Sequence, residues 1–200
     1  MVKKIVGTGV LLVLALALQA GVKMYTLKSP DGKVKLEVTA GQGIAYSLFY
    51  DGRLLLKPSR IALHTDLPEA DHWENIRITG TKQRHVSETV QAPFYRVKEF
   101  GIDCNELELR LNNGFSLLMR AYNDGMAYRF VAGRKGEMTV VEERAEFNFA
   151  DDFEAYIPYS TNPKDPWNMA FQNFYTKAPL TQYNTELPAF LPLTVDAGAV

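Results

Sequence analysis

The residues best suited to chemistry lie between Tyr156 and Glu186, where rings and side-chain amides are interleaved: Tyr159, Trp167, Asn168, Gln172 and Tyr183 share one stretch. A sugar presents an apolar C–H face that stacks on a ring and hydroxyls that pair with amides, so this composition suits carbohydrate recognition. It suits a protein interface equally well, because interfaces are also rich in Tyr, Trp and Phe. Residue types alone leave both readings open. Glu186, in Asn184-Thr185-Glu186-Leu187-Pro188, is the carboxylate nearest in sequence to the rings. The candidate substrate-binding residues are therefore Tyr159, Trp167, Asn168, Gln172 and Glu186, and no residue is assigned a catalytic role.

Glycoside hydrolysis needs two carboxyl groups about 5–9.5 Å apart across the scissile bond. The adjacent pairs Asp151-Asp152 and Glu142-Glu143 do not offer that, since neighbours on a strand point to opposite faces. His64, His72 and His85 lack zinc spacing, and no Asp-x-Asp-x-Asp-Gly calcium loop occurs. Cys104 is the single cysteine, so no internal disulfide forms, and its acidic neighbour Asp103 disfavours a thiolate; it reads as a packed residue. Net charge is −1 with no basic run, which excludes a nucleic-acid footprint.

Positioning such groups falls to strands. Val34, Leu36 and Val38 alternate with Lys35, Glu37 and Thr39, and Ile44 to Tyr50 follows Gly41-Gln42-Gly43. Period-two alternation of this kind marks half-buried strands. Asp51-Gly52 turns the chain into Arg53 to Lys57, a strand that Pro58 should stop, with Ile61 to His64 as a separate short strand. Leu107, Leu109 and Leu111 lead through Asn112-Asn113-Gly114 to Phe115–Tyr122, and Asn123-Asp124-Gly125 closes a tight hairpin before Met126 to Val131. Met138 to Glu143 and Ala145 to Phe149 continue the alternation. Glu142 to Glu146 is the best local helix candidate, but its flanks favour strand. Phe153 to Tyr183, interrupted by prolines, reads as a long loop region, and Phe190 to Val195 as a strand. No sustained 3.6-residue stripe occurs, so the expected fold class is all-β, an antiparallel β-sandwich. Asp196-Ala197-Gly198 reads as a turn and Ala199-Val200 as the opening of a return strand, which predicts that these residues are the front part of a longer protein.

The amino terminus is of another kind. Lys3-Lys4 precede an apolar run from Ile5 to Leu18, with Ala15, Ala17 and Ala20 as small residues for cleavage. The run is shorter than the roughly 20 apolar residues that a bilayer-crossing helix needs. Residues 1–20 thus read as a signal peptide and 21–200 as an exported, periplasmic or extracellular chain with no membrane span.

Arg120-Ala121-Tyr122-Asn123-Asp124-Gly125-Met126-Ala127-Tyr128-Arg129-Phe130 resembles the R-x-Y-x-D-G-x-A-[FY]-R-[FY] segment in the N-terminal domain of glycoside hydrolase family 97. Ser29-Pro30-Asp31-Gly32-Lys33 and Tyr46 to Gly52 resemble that domain's opening strands, and Phe190 to Val195 the strand before its acidic segment. The resemblance implies a galactose-mutarotase-like supersandwich. It further implies a bacterial parent enzyme that cleaves α-glucosides or α-galactosides with calcium assistance, its calcium ligands and catalytic carboxylates lying beyond Val200, chiefly in a following (β/α)₈ barrel. This chain would then supply scaffold and part of a pocket wall. The alternative is a non-catalytic carbohydrate-binding or interaction β-sandwich.

Overall fold

The computed structural model describes residues 23–160, 162, 164–166 and 173–198. The expected leader and three of the candidate site residues, Trp167, Asn168 and Gln172, lie outside them. In chain order the strands are β1 (Lys23–Lys28), β2 (Val34–Gly41), β3 (Gly43–Tyr50), β4 (Arg53–Thr65), β5 (Ile78–Gln91), β6 (Glu99–Leu111), β7 (Phe115–Tyr122), β8 (Gly125–Ala132), β9 (Val140–Ala145), β10 (Glu154–Ile157), β11 (Thr176–Pro179) and β12 (Thr194–Asp196). They pair antiparallel in three sheets, ordered β1-β2-β3-β4-β9, β5-β6-β7-β8 and β11-β10-β12.

The first two sheets face each other and form the sandwich. Leu36, Val38 and Ile44 from one meet Leu107, Leu109, Leu117 and Met119 from the other in a single buried cluster. Each such side chain contributes about 1.5–3 kcal/mol by leaving water. Trp73, in the loop between β4 and β5, closes one end: its ring packs on Phe115 and Phe130, and its indole N–H donates to the Leu63 carbonyl at 3.1 Å. The Asn123 turn ties the sheets together elsewhere, its Oδ1 accepting the Asp31 N–H at 3.0 Å.

Three expectations about local structure are corrected. Pro58 does not end a strand: β4 runs straight through it, because Ser47 alone opposes Lys57 and Pro58, and a bulge tolerates a residue with no N–H to give. Phe153 to Tyr183 is not all loop. β10 and β11 form within it, with Ala155 and Ile157 buried and Glu154 and Tyr156 turned outward, a period-two pattern too short to outweigh the surrounding prolines in the sequence. Phe190 to Val195 is strand only at its end, since β12 begins at Thr194.

Candidate functional site

Beyond Ala145 the chain leaves regular pairing but keeps running beside β4. The Glu146 N–H donates to the Arg60 carbonyl at 3.0 Å, the Asn148 N–H to Ser59 Oγ at 2.9 Å and the Ala150 N–H to the Leu55 carbonyl at 2.9 Å. This irregular edge is one wall of a cleft of about 1100 Å³. The opposite wall comes from the three-stranded sheet and its connections, with Leu180, Tyr183, Leu191 and Leu193 facing Phe147 and Phe149. A 3₁₀ turn at Leu180–Gln182 holds that wall, anchored by the Leu180 N–H on the Phe153 carbonyl at 3.0 Å. Phe149, which lines the cleft, meets the ring of buried Phe153 edge to face, 6.2 Å between centres.

Two polar side chains of the cleft, Asp152 and Asn148, are already engaged. Asp152 accepts the Thr181 N–H at 2.9 Å through one oxygen and the Thr181 hydroxyl at 2.8 Å through the other. These bonds, the backbone one first, hold its carboxyl below the ordinary aspartate value, so Asp152 is an ionised acceptor and not a proton donor. Asn148 spends its side-chain N–H groups on the Pro58 carbonyl at 2.8 Å and on Glu146 at 3.3 Å. Such an arrangement can bind or be covered; Asp152, held ionised, is not the raised-pKa carboxyl that acid catalysis requires.

Of the candidate residues, Tyr159 and Glu186 fall on one structural unit. Tyr159 bridges to Ala189, its ring lies 5.4 Å from that of Tyr183, and its hydroxyl accepts the Asn184 N–H at 2.6 Å. Tyr159 thereby pins the loop from Tyr183 to Ala189, and Tyr183 links that loop to the cleft. Burial first, then the neighbouring Tyr159, pushes the Tyr183 phenol above its usual value. Glu186 sits exposed on the same loop, its N–H donating to Asn184 Oδ1 at 3.0 Å. The cleft walls Phe147, Leu180 and Leu191 were not among the candidates. Their sequence signal was apolar residues persisting past β9.

A second polar cluster lies on the outer face of the four-stranded sheet. Glu106, 4% exposed, accepts from Arg84 Nε at 2.6 Å and from Arg120 Nε at 2.7 Å. Burial alone would raise its carboxyl, but the two arginines outweigh that and hold it below the ordinary value. Arg120 is itself kept charged by Tyr122 and then Glu106, so the arginine and tyrosine of the hairpin motif serve this cluster. Cys104, beside it, is fully buried, and burial pushes its thiol up. His64 pairs with Asp71 at 2.8 Å and His85 with Asp103 at 3.1 Å. Among the described residues no three His, Cys, Asp or Glu side chains converge as a metal site.

The family described as glycosyl-hydrolase 97 N-terminal matches residues 27–200. The chain is 40% identical over 189 residues to the retaining alpha-galactosidase of Bacteroides thetaiotaomicron, covering 92% of this chain and 28% of that protein. It is 26% identical over 158 residues to a probable retaining alpha-galactosidase of Streptomyces bingchenggensis, covering 77% and 24% respectively. Among solved structures, a glycoside hydrolase family 97 enzyme from Pseudoalteromonas sp. strain K8, in complex with panose, superposes with a TM-score of 0.63 at 19% identity, over 79% of this chain and 25% of that one. A beta-arabinopyranosidase superposes with a TM-score of 0.65 at 22% identity, over 76% and 26%. These two share the fold. The chain spans 28% and 24% of the length of the two curated relatives. With the match extending across both sandwich sheets, the cleft and the Arg120 to Phe130 hairpin, this chain belongs to the glycosyl-hydrolase 97 N-terminal family.

Proposed function

We propose that this chain is the amino-terminal sandwich of an exported glycoside hydrolase that cleaves α-galactosides with retention, α-glucosides being the other class the family resemblance implies. The observation that carries this is the 40% identity to a retaining alpha-galactosidase over 92% of the chain. Retention uses two carboxyl groups about 5–5.5 Å apart. Asp152, ionised and held by Thr181, does not supply such an acid. On this reading the catalytic pair and any calcium ligands lie in the remainder of the parent, in the (β/α)₈ barrel that the family resemblance implies. This chain acts as scaffold, with Tyr159, Trp167, Asn168, Gln172 and Glu186 as its contribution to a pocket wall. Lys3-Lys4 and the apolar run to Leu18 support a leader at residues 1–20 and delivery to the periplasm or beyond.

The test is expression of the full open reading frame that contains this chain. The exported protein should begin at Leu18 or Gly21 and hydrolyse an aryl α-galactoside. Residues 21–200 alone should turn over neither aryl α-galactosides nor aryl α-glucosides, with or without calcium. Turnover by residues 21–200 would overturn the scaffold role.

A further inference from the structure

The hairpin of β5 and β6 outruns the sheet it belongs to. Its register runs from Ile78 opposite Leu111 out to Gln91 opposite Glu99, whereas β7 pairs with β6 only from Asn105 to Arg110. Residues 86–104 form a two-stranded arm, an arrangement that is marginal in water by itself. Cross-strand partners share a face and alternate residues face opposite ways. Val86 with Cys104, Glu88 with Ile102 and Val90 with Phe100 thus line one side; Ser87 with Asp103, Thr89 with Gly101 and Gln91 with Glu99 line the other. One side is apolar apart from Glu88, and the other carries no large apolar residue. Tyr95 extends the apolar side to the tip, its ring meeting Phe100 edge-on with 6.2 Å between centres.

This strip lies on the outer face of the sandwich, because Gln83 and Asn105, on the opposite side, reach back to the Thr26 and Lys28 carbonyls of β1 at 3.0 and 2.8 Å. Near the sandwich it is closed, with Val86 and Cys104 buried. Further out it opens: Val90 is 41%, Phe100 42% and Tyr95 73% exposed. Among the described residues nothing covers this open apolar side, and an exposed apolar patch of this kind marks an interaction surface.

We propose that Val90, Tyr95, Phe100 and Ile102 form a docking surface for the part of the parent hydrolase outside this chain, which presents an apolar patch with acidic groups opposite Arg96 and Lys98. The inference rests on the hydrolase reading above. The relative at 40% identity has nearly three quarters of its length beyond the matched region, available within the same molecule. A second copy fits less well. Parallel arms related by a two-fold axis would set the tip cations Arg96 and Lys98 against their own copies, opposing like charges.

Hydrogen exchange on the full-length parent and on this 200-residue chain tests the proposal. Amides of residues 88–102 should exchange about tenfold or more slowly in the parent, independent of protein concentration. Val90→Glu with Phe100→Glu, and separately Arg96→Glu with Lys98→Glu, should return them towards the rates in the chain alone. Equal exchange in both proteins overturns the proposal. So does protection in the chain alone that disappears on dilution together with a doubled mass, which would make the occupant a second copy. Unchanged protection in the Arg96→Glu, Lys98→Glu variant overturns the acidic partner. An aryl α-galactoside assay on the same parent preparation separates the two readings. A protected arm without hydrolysis overturns the proposed function alone; hydrolysis with an unprotected arm overturns the docking surface alone.

Discussion

The sandwich interior and the cleft beside it are built from the same kinds of side chain and treat them in opposite ways. Leu36, Leu109 and Leu117 are wholly covered, while Phe147 and Leu191 stay 57% and 87% exposed. The interior is explained by this chain's own folding, since two facing sheets remove those side chains from water. The cleft is not, and clustered apolar residues left in water mark a surface that meets something else. Truncating one residue from each region is the sharpest way to break the contrast. Leu117→Ala should cost about 2–5 kcal/mol, a lost transfer term plus a cavity between two sheets that collapse only partly. Chemical denaturation of the chain measures it as a lowered midpoint at constant slope.

Next in size is a carboxylate. Glu106→Ala would leave Arg84 and Arg120 without their shared acceptor, and because Arg84 is 52% solvent-accessible the cost should fall to about 2–3 kcal/mol, below that of a fully enclosed pair. The same residue has a pH signature. Its folded-state pKa is depressed, so its stabilisation is present above the ordinary glutamate value of 4.5 and is lost as pH falls through the lower folded value. Glu106→Gln should flatten the acid limb of the stability profile below about pH 4.5. Asp152 also has a lowered pKa but lies open to water, so Asp152→Asn should leave that limb almost unchanged.

What the sequence revealed follows the same division. Alternation over Val34 to Thr39, Ile44 to Tyr50 and Phe115 to Val131 was enough to read the sandwich, because a strand with one buried face writes its environment into every second residue. The continuous β4 was hidden by Pro58, since a bulge is a property of two strands and neither alone shows it. β10 was hidden by its brevity among prolines. Glu106 carried no signal either: its partners Arg84 and Arg120 are brought beside it only by the register of three strands. The cleft was the least legible part. Its walls come from Phe147–Asp152, the turn at Leu180 and the segment around Leu191, which no local pattern brings together. Tyr159 was legible as a ring among amides, but its contact with the Tyr183 ring and the Asn184 N–H on its hydroxyl come from chain segments that no local pattern pairs.

A smaller effect tests how the sandwich closes at the β9 edge. Tyr46 is 1% exposed and donates its hydroxyl to the Glu146 carbonyl at 3.2 Å, just where the regular edge gives way to the cleft wall. Tyr46→Phe should cost about 1 kcal/mol, the net worth of one such bond. Burial pushes the Tyr46 phenol from 10.0 up to about 12. The stabilisation linked to its protonated form is complete below the unfolded value and is lost as pH rises through the folded one. Wild-type stability should therefore fall between pH 10 and about 12 with a component that Tyr46→Phe lacks, read from denaturation midpoints across that window.

The smallest expected effect decides whether the contrast holds. Leu191→Ala removes a large apolar side chain, as Leu117→Ala does, yet it should change the stability of this chain by no more than about 0.5 kcal/mol, because the side chain is already in water and leaves no cavity. A cost near that of Leu117→Ala would mean that the cleft closes in solution and belongs to the core. A near-zero cost in the chain alone, with a larger one in the full-length protein, would place Leu191 in contact with the rest of the parent. The apolar lining would then be an interface, and the hydrophobicity of the cleft would be a property of that longer protein's folding.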